Sequence, residues 1–202
     1  MIIIGLTGSI GMGKSTAARA FRSCGVAVYD ADAQVHKLIG PGGTAVAAVA
    51  AAFPGVLARD RADRDLIDRP ALAAKVFDDP AALARLEAIL HPMAGRAKEK
   101  FLGVAARRGE PMVVLDIPLL LETGGERDCD VVVVVSAPPF VQAGRVMQRP
   151  GMTAKRLQAI LDKQIPDHEK RLRADFIVRT GLDHAYSLRA IARIVKIIRD
   201  TL

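Results

Sequence analysis

Tryptophan is absent from the 202-residue sequence, and aromatic residues make up only 4% of it. That scarcity argues against a protein that grips single-stranded nucleic acid by stacking bases on aromatic side chains. The only cysteines are Cys24 and Cys129, without CxxC or metal-ligand spacing, so neither a disulfide framework nor a zinc site is indicated. Both read as small buried hydrophobes in a reducing compartment. No apolar run approaches the roughly 18 residues of a membrane span. The N-terminal run Met1 to Leu6 lacks a basic leader segment and passes straight into glycines. It does not read as a secretory signal, and a cytoplasmic protein is expected.

What is present is an ordinary globular mixture, 50% hydrophobic and 25% charged, long enough for one compact domain with small appendages. Lys plus Arg number 29 against 22 Asp plus Glu, a net charge of +7. That excess suits nucleic acid, an anionic membrane or a polyphosphate ligand, and the count does not choose among them. Ile2 to Leu6, Val26 to Tyr29, Met112 to Leu115 and Val131 to Val135 are apolar, β-branched runs without alternation. Phe176 to Val178 is a weaker fifth. Such runs read as strands buried on both faces, and the helical stretches between them point to a parallel sheet with helices on each side. Ser15 to Ser23 and Ala33 to Leu38 read as helices. In the last helix Leu188, Ile191, Val195, Ile198 and Leu202 form one apolar stripe.

Two regions exceed the simple alternation. About 80 residues separate the second and third strands, far more than a crossover needs. They read as helices Thr44 to Phe53, Pro70 to Val76, Pro80 to Leu90 and Pro92 to Arg107, with His91-Pro92 as a break. The other region, 138–173, is helical and basic. The expected organisation is a core of 1–39, 108–137 and 174–202, a substrate-binding insertion at 40–107 and a lid at 138–173.

The chemistry concentrates after the first strand. Gly8-Ser9-Ile10-Gly11-Met12-Gly13-Lys14-Ser15 fits G-x-x-x-x-G-K-[ST] without departure. Glycines let successive N–H groups curl into an anion nest, and the following helix adds its positive end. Lys14 can then reach the β- and γ-phosphates while the Ser15 hydroxyl binds Mg²⁺. Removing the Lys14 ammonium should abolish phosphoryl transfer and leave the fold intact.

Asp30 and Asp32 directly follow the second strand, at the carboxyl end where ligands gather in a parallel sheet. One of them can take the proton of an incoming hydroxyl, or either can cap the next helix. Asp116 ends the third strand, where a carboxylate can hold Mg²⁺ through water, contact an acceptor or cap a turn. Glu122 is a weaker candidate. His91 has no partner histidine at ligand spacing, so it is either structural or a substrate contact. The basic stretch admits a solvated face, a nucleic-acid surface or a lid whose arginines close over a nucleotide. Arg145 and Arg149, four apart, could share a helix face there.

These residues together carry a resemblance. Ile4 to Ser15, Val28-Tyr29-Asp30-Ala31-Asp32, Val76-Phe77, Leu86 to Pro92, Pro118-Leu119-Leu120-Leu121-Glu122, Arg145 with Met147-Gln148-Arg149, and Gln164 resemble, in order, the dephospho-coenzyme A kinase family. The resemblance implies an α/β, three-layer P-loop NTPase fold with a five-stranded parallel sheet, a helical substrate-binding insertion and a helical lid. It implies ATP-dependent phosphorylation of the ribose 3′-hydroxyl of dephospho-coenzyme A, the last step of coenzyme A synthesis, with ATP and Mg²⁺ as cofactors. By matched position, Asp32 is the general base, and Lys14 and Arg145 act in catalysis. Gly8, Gly11, Met12, Gly13, Lys14, Ser15, Thr16 and Arg149 bind the nucleotide. Ser15 takes the metal, and Asp32, His91 and Asp116 take the acceptor. The expected partners are dephospho-coenzyme A and ATP alone, without nucleic acid or membrane, for a monomer or weak homo-oligomer. Two positions depart from the family pattern. Ser9 stands where a third glycine is common, and Arg179-Thr180-Gly181 stands where Asn often precedes Gly, which leaves the adenine contacts there open. The rival reading is another P-loop small-molecule kinase, of the shikimate or gluconate type. A GTPase switch is disfavoured because the sequence has no Asn-Lys-x-Asp.

Overall fold

The five apolar runs form one parallel sheet in the computed structural model, which describes residues 1–77, 79–181 and 183–201. Its strands are β1 (Ile2–Thr7), β2 (Ala27–Asp30), β5 (Met112–Asp116), β6 (Val131–Ser136) and β7 (Phe176–Arg179), in the order β2-β5-β1-β6-β7. Every pairing is parallel. The valine run of β6 shows why alternation is absent. Val133 and Val135 pack with Phe21, Ile191 and Ile194 on one face, while Val132 and Val134 pack with Leu120 and Leu121 on the other. Both faces are apolar, so period-two patterning has nothing to distinguish.

Two helices cover the first face: α1 (Lys14–Ser23) and α9 (His184–Asp200). On α1, Ala17, Ala18, Ala20 and Phe21 are all buried. The buried face of α9 is Ser187, Ile191, Ile194, Val195 and Ile198. Leu188, expected on that stripe, is 36% exposed. The burial of Ser187 and Ile194 rotates the stripe by about one position, and Leu202 lies outside the described residues. Neither Cys24 nor Cys129 is in a disulfide, and both are only half-buried, each packed at the margin of an apolar cluster.

The chain divides into two compact units, Met1–Asp30 with Val104–Leu202, and Ala31–Gly103. The second unit contains α2 (Ala31–Ile39), α3 (Val46–Ala52), the hairpin β3 (Leu57–Arg59) and β4 (Asp65–Ile67), α4 (Arg69–Val76) and most of α5 (Pro80–Arg107). Val49, Phe53, Val56, Ile67, Leu72 and Leu86 are part of its own core. Two expectations fail in this unit. Helix α5 runs unbroken through Pro92 where a break at His91-Pro92 is expected. The bond lost at proline leaves the Ala88 carbonyl without its helical donor, and both residues are exposed, so water can serve that carbonyl. The hairpin also escapes the sequence pattern, because its three-residue strands carry Arg59 and Asp65 and not a β-branched run. Asp60 holds its turn by accepting from the Ala62 and Arg64 amides and from the Arg64 guanidinium. That guanidinium keeps the Asp60 carboxyl below the usual carboxylate range. The turn is therefore braced at neutral pH and loosens as pH falls through the lowered value.

Within the first unit, residues 138–173 fold as α6 (Pro139–Met147), α7 (Ala154–Leu161) and α8 (Asp167–Leu172).

Candidate active site

The loop from Gly8 to Gly13 joins the carboxyl end of β1 to α1. Gly13 precedes α1 with φ +91° and Gly11 has φ +77°, left-handed backbone that side chains resist. Space excludes a side chain as well: a Cβ on Gly11 would stand 2.5 Å from Val146 Cγ2. The first turn of α1 holds no acidic residue to offset its positive end. Ser15 is exposed in that turn, and the Thr16 amide bonds back to the Gly13 carbonyl. Ser9 is buried, and its carbonyl accepts from the Met12 amide. Gly8 packs against β6, where a Cβ would stand 2.6 Å from the Val135 carbonyl oxygen.

Three successive loop carbonyls take side-chain donors from outside the loop. Gln142 Nε2 donates to the Ile10 carbonyl at 2.8 Å, Arg145 Nη1 to that of Gly11 at 3.4 Å, and Thr180 Oγ1 to that of Met12 at 2.6 Å. The Ile10 amide in turn donates to Gln164 Oε1 at 3.1 Å. The Met12 side chain is buried, and its Sδ accepts from the Ala137 amide. Met12 therefore serves the loop through its backbone, with its side chain as an anchor.

Lys14 lies against the end of β5, its Nζ 2.5 Å from Asp116 Oδ1. The Asp116 side chain is 4% exposed and that of Lys14 17%. Lys14 thus pairs with a buried carboxylate, so its loss bears on stability as well as on the loop. Strand register sets Asp116 beside Leu6 of β1 and Asp30 of β2, so loop, lysine and both carboxylates meet at one sheet edge. A cavity of about 1150 Å³ adjoins the loop at Ser9 and Met12, with walls that include Phe140, Gln164 and Arg179.

The remaining candidates fall as follows. Asp32 is exposed in the first turn of α2, two residues past the end of β2, and His91 is exposed on α5. Arg145 occupies the last turn of α6, and its guanidinium bonds Gly11 and Thr180. Arg149 lies exposed in the turn beyond that helix, so the two arginines do not share a helix face as their spacing suggests. Glu122 has a structural duty. Its Oε1 lies 2.6 Å from the Nζ of Lys170, whose side chain is 0% exposed, and accepts from the Ile165 amide. Glu122→Ala should therefore destabilise by about 3–5 kcal/mol, because it strands a buried cation. In thermal melts the double variant Glu122→Leu/Lys170→Met should recover much of that loss, and equal or lower stability of the double would refute the assignment. Gln142 and Thr180 are the site residues that sequence reasoning missed. Neither belongs to a spaced motif, and only the departure at Arg179-Thr180-Gly181 drew attention to the second.

The family model for dephospho-CoA kinase matches residues 2–183. The chain belongs to the dephospho-CoA kinase family. A dephospho-CoA kinase of Rhodospirillum rubrum is 57% identical over 190 residues, covering 94% of this chain and 88% of that protein. The crystal structure of TT1252 from Thermus thermophilus matches with a TM-score of 0.81 at 35% identity, covering 100% of this chain and 97% of that one. Dephospho-CoA kinase from Campylobacter jejuni shares the fold, with a TM-score of 0.67 at 24% identity over 97% of this chain and 96% of its own. The fold is that of the P-loop kinases, and the chain is an ATP-dependent kinase of this family. No helix among the described residues is long and apolar enough to cross a membrane.

Proposed function

We propose that this protein transfers the γ-phosphoryl group of ATP to the ribose 3′-hydroxyl of dephospho-coenzyme A, giving coenzyme A and ADP. The observation that carries the reading is the phosphate loop itself. The Lys14 ammonium and an unshielded helix end stand beside Asp30 and Asp116 at the carboxyl edge of the sheet. The chemistry there is largely positioning and charge neutralisation. Loop amides and Lys14 hold the phosphates, with Asp116 keeping the ammonium in place until phosphate oxygens compete for it. Asp32 takes the proton of the 3′-hydroxyl as its oxygen forms a bond to the γ-phosphorus. The bond from that phosphorus to the bridging oxygen breaks, and its electron pair leaves on ADP.

Among the described residues no group of three or more His, Cys, Asp or Glu forms a metal centre. A Mg²⁺ ion held chiefly by phosphates and water suits this, with the exposed Ser15 hydroxyl as its protein ligand. When bound, such an ion would supply charge neutralisation at the phosphates. Arg145 and Arg149 serve the same charge from the proposed lid, 138–173. His91, Asp116 and the helical insertion serve the acceptor.

A coupled ADP-release assay tests the assignment, with dephospho-coenzyme A, shikimate, gluconate or no acceptor. Release should depend on dephospho-coenzyme A, and coenzyme A should accumulate in equal amount. Turnover with shikimate or gluconate and none with dephospho-coenzyme A would assign the protein to the rival small-molecule kinases.

A further inference from the structure

The chain leaving β7 turns inward at Thr180, which is 6% exposed. Its hydroxyl donates to the Met12 carbonyl at 2.6 Å and accepts from Arg145 Nη1 at 3.1 Å. Its own carbonyl accepts from Arg145 Nη2 at 2.6 Å. One hydroxyl thus joins the phosphate loop to the arginine, a duty that needs a group able to donate and accept at once. The loop is fitted closely around it, since a Cβ on Gly13 would stand 3.1 Å from Thr180 Oγ1.

We infer that Thr180 is a positioning residue for phosphoryl transfer, holding the Arg145 guanidinium against the phosphate loop and fixing the Met12–Gly13 peptide. The inference rests on the proposed role of Arg145 in neutralising phosphate charge. The Met12 carbonyl, once held outward, turns the following Gly13 amide away from Thr180, and a peptide free to rotate would spoil the anion nest. The guanidinium, clamped at two nitrogens, keeps one orientation and loses little freedom when it meets a charged ligand. Thr180 spends its side chain inside the protein, so it does not read the adenine base. That resolves the departure at Arg179-Thr180-Gly181: the position works on the loop.

Thr180→Val keeps the side-chain shape and removes both hydroxyl bonds. ATP affinity by calorimetry should weaken about tenfold, because one of the lost bonds has a charged donor. The value of kcat should fall with it, and Thr180→Ser should restore both. Residues that act through each other are not additive, so Arg145→Ala should cost less in the Thr180→Val background than in the wild type. A merely structural residue would lower the melting temperature, leave ATP affinity and kcat unchanged and give an additive cycle, and that result overturns the inference. Should Thr180→Val not fold, Arg145→Lys takes its place, since an ammonium cannot span both the hydroxyl and the carbonyl of residue 180. Wild-type ATP affinity in Arg145→Lys would overturn it equally. Calorimetry with ATP alone needs no acceptor, so a wild-type chain that binds ATP yet fails to turn over dephospho-coenzyme A would count against the proposed reaction and leave the Thr180 comparison readable.

Discussion

Asp32→Asn should lower kcat with dephospho-coenzyme A by about 10²- to 10⁴-fold, the usual contribution of a general base. The substitution keeps the shape and hydrogen-bonding reach of the side chain and removes only its basic oxygen. ATP affinity should stay near the wild-type value, because phosphates are assigned to Lys14 and the loop amides. Stability should also hold, since Asp32 is exposed in the first turn of α2. Asp30 is the control. It closes β2 in register with Asp116, and Asp30→Asn should change stability by about 1 kcal/mol or less if it caps the next helix, since Asn caps almost as well. The two variants are to be compared for kcat, calorimetric ATP affinity and melting temperature. A catalytically dead Asp30→Asn beside a normal Asp32→Asn would show that the carboxylates are assigned the wrong way round. Normal turnover in both would remove the general base from the end of β2 altogether.

Lys14→Ala should cost more than any other single change in the loop. An electrostatic contact to the transferring group is worth several kcal/mol of barrier, so activity should fall by at least about 10²-fold. The fold will also register the change. Lys14 sits 2.5 Å from Asp116, whose side chain is 4% exposed, and truncation strips a buried carboxylate of a cationic partner. About 1–3 kcal/mol of stability should be lost with it. Lys14→Ala/Asp116→Asn separates the two effects: the second change should recover part of the melting temperature and none of the activity. A single variant that turns over within about tenfold of wild type, a barrier change of only about 1.4 kcal/mol, would remove Lys14 from the transfer step.

Much of the core was legible because its signals are local. A strand buried on both faces announces itself by a run such as Val131 to Val135, and a phosphate loop by glycines at positions only left-handed backbone can fill. The order of those runs, with helices between them, already implies a parallel sheet. Residues 54–68 were less legible, since a hairpin of three-residue strands carries too few side chains to show a period. Pro92 misled for a related reason. Proline penalises a helix interior strongly, but its cost shrinks where the orphaned carbonyl meets water, and exposure is a property of the packed unit. Arg145 and Arg149 misled because spacing predicts a shared helix face only if the helix continues, and α6 ends at Met147.

The sequence alone determined the phosphate loop, the strand-end carboxylates Asp30 and Asp116, the sheet and the family. Each depends on residues within a few positions of one another or on ordered motifs. Only the tertiary structure decided the partners across long separations: Lys14 with Asp116, Glu122 with Lys170, and the loop carbonyls with Gln142, Arg145 and Thr180. No spacing rule links position 12 to position 180. Their hydrogen bond exists because β1 and β7 flank β6 in one sheet, so the segments leaving their carboxyl ends converge, and buried polar groups brought together there must satisfy one another.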